Sequence, residues 1–198
     1  MASKREALQA KVNKFVAQRA RVLNGTIING PGLSATMNQE GQAVVGYKVT
    51  KDNLNGKPIP LTIGRAPAQL SLQILYTLEE NSDGELLAID RSNFVVCDAS
   101  TMKPWLRYEF GDDPDNDFPA SHLHIHGASE IGDRFNALVG HNRGITEDFH
   151  FPVGGPNCHP SLEDVIEFLI REGLVKAREG WEKSLADSRA LQKQLIAA

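Results

Sequence analysis

The string Ser121-His122-Leu123-His124-Ile125-His126-Gly127 holds three of the chain's six histidines at alternate positions. Alternate side chains of a β-strand share a face, so His122, His124 and His126 line one surface while Leu123 and Ile125 enter the other. Three neighbouring imidazoles can hold a divalent transition metal such as zinc through their neutral nitrogens. They can equally act as general acid and base near neutral pH, and the spacing does not choose between these uses. The structural alternative is an exposed strand face with histidine as polar filler, which strand propensity does little to explain.

Other reactive side chains gather around this string. Arg107 and Tyr108 fall on the preceding strand, and one of them must share the histidine face: Arg107 could hold a phosphate, Tyr108 could donate a proton. Downstream come His141, His150 and Cys158-His159, with His150 the foremost because His150-Phe151-Pro152-Val153-Gly154-Gly155 sets a polar group among apolar ones. The acidic stretch Asp113-Pro114-Asp115-Asn116-Asp117-Phe118 opens like a calcium loop, but Phe118 stands where glycine is needed and His124 where glutamate is needed, which excludes that use. Gly30-Pro31-Gly32 and Gly154-Gly155-Pro156 lack the context of a nucleotide-binding loop and read as turns.

The elements that must position these residues follow from periodicity. Ser3 and Glu6 in capping-box spacing, then Leu8, Val12, Phe15, Val16, Val22 and Leu23, predict a helix over 4–23 that stops at Asn24-Gly25. Residues 24–64 are rich in Gly, Asn and Pro and read as irregular or a loose hairpin, with strand-like pieces at 26–28, 43–49 and 60–63. Leu70, Leu72, Ile74, Tyr76 and Leu78 alternate along a strand that ends at the turn Asn81-Ser82-Asp83-Gly84. Strands at 86–96, with a break near 90–93, and at 104–110 lead to the histidine strand. A long covering loop is expected over 129–160, and long loops are often functional. Ser161 and Asp164 cap a helix that ends at Gly173, and a mostly polar helix over 175–196 docks on the first helix or on a second subunit. The expected architecture is a single α+β domain over 1–198. It comprises a basic N-terminal helix (1–25), an antiparallel β-meander (26–128), the covering loop and two C-terminal helices (161–198).

Composition narrows the class. With 41% hydrophobic and 23% charged residues the chain is ordinary globular protein. A formal charge of -4 argues against a surface that is basic all round, as a general nucleic-acid binder would have. Charge is nevertheless uneven: Lys4, Arg5, Lys11, Lys14, Arg19 and Arg21 face only Glu6 in the first helix. That pattern reads as a solvated face, or as a docking surface for nucleic acid or an acidic partner. No apolar run approaches the roughly 20 residues of a membrane span. The N-terminus enters an amphipathic pattern without a secretory signal, so a cytoplasmic location and reduced Cys97 and Cys158 are expected.

Three resemblances can be stated. His122-Leu123-His124-Ile125-His126-Gly127-Ala128 resembles the signature of histidine-triad nucleotide hydrolases, in which a histidine attacks an α-phosphate. Over about 105–170, an Arg-Tyr strand, a proline-bearing loop, a His-x-His strand, a loop with Phe-Pro and the helix opening Pro160-Ser161-Leu162-Glu163-Asp164-Val165-Ile166 are similar to TumE-like toxins of toxin-antitoxin pairs and to uncharacterised actinobacterial proteins. That resemblance implies polar-motif roles for Arg107, Tyr108, His122, His124, His126 and His150, and a helix-turn-helix (HTH) antitoxin as partner. The element order is similar to the ubiquitin-conjugating enzyme fold, which would place Cys158 at a thioester position, although Cys158-His159-Pro160 is not that family's motif. Two functional expectations result. One is a phosphodiester hydrolase acting on RNA or a nucleotide, with His124 and His126 as acid and base and Arg107 on the phosphate. The other is a non-catalytic defence or regulatory module with a structural or metal-holding histidine strand and outer helices that bind another chain.

Overall fold

The computed structural model describes residues 4–30, 32–111, 119–127, 151–153 and 160–196. Helix α1 (Lys4–Thr26) buries Val12, Phe15, Val22 and Leu23, the stripe predicted from their spacing. It runs past the expected stop at Asn24-Gly25. A Cβ on Gly25 would lie 2.9 Å from Ser184 Oγ, so this glycine admits a neighbouring helix instead of ending its own. The Thr26 hydroxyl donates to the Val22 carbonyl at 2.6 Å, and the amides of Ile27 and Ile28 both bond to the Leu23 carbonyl. Residues 26–28 therefore finish the helix and are not the expected strand piece. Ser3, the other half of the expected capping box, lies outside the described residues.

The strands are β1 (Ser34–Met37), β2 (Ala43–Gly46), β3 (Ile59–Pro60), β4 (Leu70–Glu80), β5 (Leu87–Asp98), β6 (Pro104–Phe110), β7 (Ser121–Ile125) and β8 (Phe151–Pro152). Among the described residues they form one antiparallel sheet of order β1-β2-β4-β5-β6-β7-β8, with β3 paired to β4. The segment read as irregular or a loose hairpin supplies three short strands: β1 and β2 form a hairpin, β2 lies in the expected piece at 43–49, and β3 meets the expected piece at 60–63 only at Pro60. Where a break in β5 was expected, the strand continues through a bulge: Thr77 pairs with Arg91 and Leu78 with Ile89, leaving Asp90 as the extra residue. Part of the expected covering loop is strand, since Phe151 and Pro152 pair with Leu123 and His122.

Helix α2 (Leu162–Arg171) begins at the predicted capping box, with reciprocal bonds between Ser161 and Asp164. Helix α3 (Trp181–Gln192) is shorter than expected, because Gly180 at φ +74° turns the chain immediately before it. It docks on α1, where Gln18 donates to the Ser188 carbonyl at 2.8 Å. The result is the α+β class expected: an antiparallel meander with one N-terminal and two C-terminal helices. No described helix is long and apolar enough to cross a membrane.

Leu72, Ile74, Tyr76 and Leu78 of β4, Phe94 and Val96 of β5 and Leu106 of β6 form the apolar sheet face and pack with Phe15, Leu162, Val165, Ile166 and Leu169 of the helices. Within this layer Nη1 of Arg19 on α1 donates to both carboxylate oxygens of Glu163 on α2 at 2.8 Å, with exposures of 1% and 0%. The hydroxyl of Ser188 on α3 also donates to Glu163, and the guanidinium stacks 5.0 Å from the Phe15 ring. Burial pushes the neighbouring Tyr76 hydroxyl well above its ordinary range, against the opposing pull of Arg19. Removing one member of a buried pair strands the other charge, which typically costs about 3–5 kcal/mol. Glu163→Leu is therefore expected to destabilise the fold by about that much in urea unfolding, and a loss under 1 kcal/mol would contradict the pair's role in joining the three helices.

Candidate metal centre

The Asp98 carboxylate shapes the turn that sends β5 into β6. One oxygen accepts bonds from the hydroxyls and amides of both Ser100 and Thr101, and chiefly the Ser100 hydroxyl holds the carboxyl down to about 2. At the other end of β6 the ladder is prolonged by Gly111 N–H donating to the Ala120 carbonyl. A Cβ on Gly111 would lie 2.8 Å from Arg91 Cγ, so glycine lets the Arg91 stem cross the strand end. With both ends held, β6 and β7 pair Arg107 with His124, Tyr108 with Leu123 and Glu109 with His122. Arg107, Glu109 and the histidines consequently share the sheet face turned away from the helices.

On that face the rings of His122 and His124 lie edge to face with centroids 5.0 Å apart, and the His126 ring is 6.5 Å from that of His124. His126 stands one residue beyond β7, held by its amide donating to the Trp105 carbonyl at 2.8 Å. Alternation thus brings all three histidines to one surface, as expected. Their burial differs: His124 is 3% exposed and His122 and His126 are intermediate.

The residue that organises them is Glu109, two places beyond Arg107 on β6 and absent from the expected site residues. Its Oε2 lies 3.1 Å from His124 Nε2, 3.4 Å from His122 Nε2 and 3.3 Å from Arg107 Nε. Its Oε1 accepts a bond from Asn93 Nδ2 at 2.9 Å. Glu109 and the two histidines offer ligand atoms that all lie within 4.8 Å of one another. The signal in the sequence that points to Glu109 is the pattern Arg-x-Glu on one strand facing His-x-His on the next.

One hydrogen bond limits what this cluster can be. His122 Nδ1 lies 2.7 Å from the Pro119 carbonyl oxygen, which can only accept, so Nδ1 carries the hydrogen. In the neutral ring Nε2 is then a lone pair aimed at a carboxylate oxygen. Two electron-rich atoms in that arrangement need a proton or a metal ion between them. With metal–ligand bonds of about 2.0–2.1 Å, adjacent donors stand about 3.3 Å apart in a tetrahedral shell and about 3.0 Å apart in an octahedral one. The observed 3.1 Å and 3.4 Å bracket the tetrahedral spacing. A histidine ligand whose second nitrogen donates to a backbone carbonyl is also the usual outer-shell arrangement at metal sites.

The other expected site residues fall differently. Arg107 is half-buried beside Glu109 on the histidine face, so it is the member of the Arg107-Tyr108 pair that reaches the site. Tyr108 does not: it faces the helices, where burial pushes its hydroxyl up and Asp164 adds to the rise. The proposed proton-donor role for Tyr108 at the histidines is therefore withdrawn. His141, His150, Cys158 and His159, the acidic stretch 113–117 and most of the expected covering loop lie outside the described residues. Cys97 is buried in β5, which pushes its thiol up.

No protein family matches the chain, and neither a curated protein nor a solved structure resembles it to a significant degree.

This placement separates two neighbouring residues experimentally. Glu109→Gln is expected to weaken metal uptake measured by inductively coupled plasma mass spectrometry, whereas Tyr108→Phe leaves it at the wild-type level. Metal loss in the Tyr108→Phe protein would contradict the assignment of faces.

Proposed function

We propose that Glu109, His122 and His124 bind one divalent transition-metal ion, and that the centre serves metal-assisted hydrolysis of a phosphodiester. The observation that carries the metal reading is the convergence of both Nε2 atoms on one carboxylate oxygen, with the His122 Nδ1 hydrogen committed to Pro119. Two imidazoles and a carboxylate suit zinc or iron(II), and they leave coordination positions for water and substrate. At such a centre the metal supplies Lewis acidity and a bound water of lowered pKa.

The chain's own groups fit the remaining tasks. Arg107, next to the ligand carboxylate and about one-third exposed, can bind a phosphate oxygen. His126, whose ring lies 6.5 Å from that of His124 on the same face, can deliver a proton to the leaving oxygen. His124 is too buried to meet a large substrate as acid or base, which favours ligation over the metal-free pairing of His124 with His126.

The test has two stages. Purified protein is expected to hold a single zinc or iron per chain, lost in His124→Ala; a wild type that takes up neither metal contradicts the reading. Metal-loaded protein is then expected to cleave bis(p-nitrophenyl) phosphate and an RNA oligonucleotide. His126→Ala should slow RNA cleavage by about 10²–10⁴-fold and spare the nitrophenyl ester, whose leaving group needs no proton. Metal retained without cleavage of either substrate would favour the metal-holding, non-catalytic module.

A further inference from the structure

The two oxygens of the Glu109 carboxylate face different neighbours. Oε2 faces His122, His124 and Arg107, while Oε1 accepts a charge-assisted bond from Asn93 Nδ2 at 2.9 Å. Asn93 stands directly opposite Glu109 in the β5–β6 pairing and therefore approaches the carboxylate from the side away from the histidines. The carboxylate dictates the amide's orientation, because the reversed amide would set Oδ1 against a negative oxygen.

Asn93 is a poor choice for this position on stability grounds alone. Asparagine is disfavoured within strands. Its Oδ1 is also buried without a hydrogen-bond partner among the described residues, a state that ordinarily costs about 1–3 kcal/mol. An apolar residue, such as Val95 one place along the face, would avoid both penalties. What Asn93 contributes is the hold on Oε1.

We infer that Asn93 is a positioning residue of the centre: by occupying Oε1 it confines Glu109 to ligation through Oε2 alone and keeps a coordination position open. This rests on the metal reading above. Without the amide the carboxylate is free to rotate and chelate with both oxygens, raising the coordination number and closing the position that water or substrate would take.

Asn93→Leu keeps the approximate size of the side chain and removes the donor. Loss of an outer-shell partner of this kind typically weakens metal affinity by about 10–100-fold, and that loss is expected in zinc titrations of the variant. The more specific readout is the visible spectrum of the cobalt(II)-loaded protein. Relative to wild type, the Asn93→Leu spectrum should weaken and shift as a further oxygen enters the shell, a change that a purely structural role would not produce in a protein of unchanged secondary structure. Wild-type affinity and an unchanged cobalt spectrum in Asn93→Leu overturn the inference and leave the metal reading standing. A wild type that binds neither zinc nor cobalt overturns both.

Discussion

The antiparallel pairing of β6 with β7 sets Arg107 against His124 and Glu109 against His122. Strand side chains alternate with a period of two, so a slip of one residue would turn the imidazoles toward the apolar layer and expose Leu123 in their place. Several local features oppose such a slip. Tyr108 and Leu123 pack against the core from the helix face, and the Asp98 turn and the Gly111–Ala120 bond hold the two ends of β6. The site consequently rests on the same alternation that builds the core, read from the opposite side of the sheet.

The two faces are organised by different physics. On the helix face, burial of large apolar side chains is the main favourable term, and the fully buried ion pair there, Arg19 with Glu163, is joined by a serine hydroxyl and an aromatic ring. That pair balances one positive against one negative charge, although Arg19 Nε is buried without a hydrogen-bond partner among the described residues. On the outer face the carboxylate of Glu109 meets two imidazole nitrogens and one guanidinium, and the His122 nitrogen directed at it has no hydrogen to give in the neutral ring. The first arrangement fastens three helices; the second has a place for a cation.

Much of this was legible in the sequence, for identifiable reasons. Alternation in residues 70–78 and 121–126 is a direct record of strand faces, so β4 and the common face of the histidines could be read from it. The Ser161–Asp164 capping box is equally local. What escaped depended on partners distant in the chain: Gly25 looks like a helix stop until Ser184 of α3 is placed against it, and Asn93 looks like a strand breaker until it meets Glu109. Among the short strands β2 lies within the piece legible at 43–49 and β3 meets the piece at 60–63 only at Pro60, whereas β1 was obscured by its Gly- and Asn-rich surroundings, since such pairing is decided by neighbouring strands more than by propensity. Tyr108 and Arg107 could not be separated because periodicity tells which residues share a face and not which face is outermost.

The cluster's meaning turns on what lies between Glu109 Oε2 and the two Nε2 atoms, a proton or a metal. X-ray absorption at the zinc edge of the zinc-loaded protein addresses this directly. The account predicts a first shell with two imidazole nitrogens, recognisable from ring multiple scattering, together with carboxylate oxygen that is diminished in Glu109→Gln. A spectrum without imidazole scattering, or one unchanged in that variant, would contradict it.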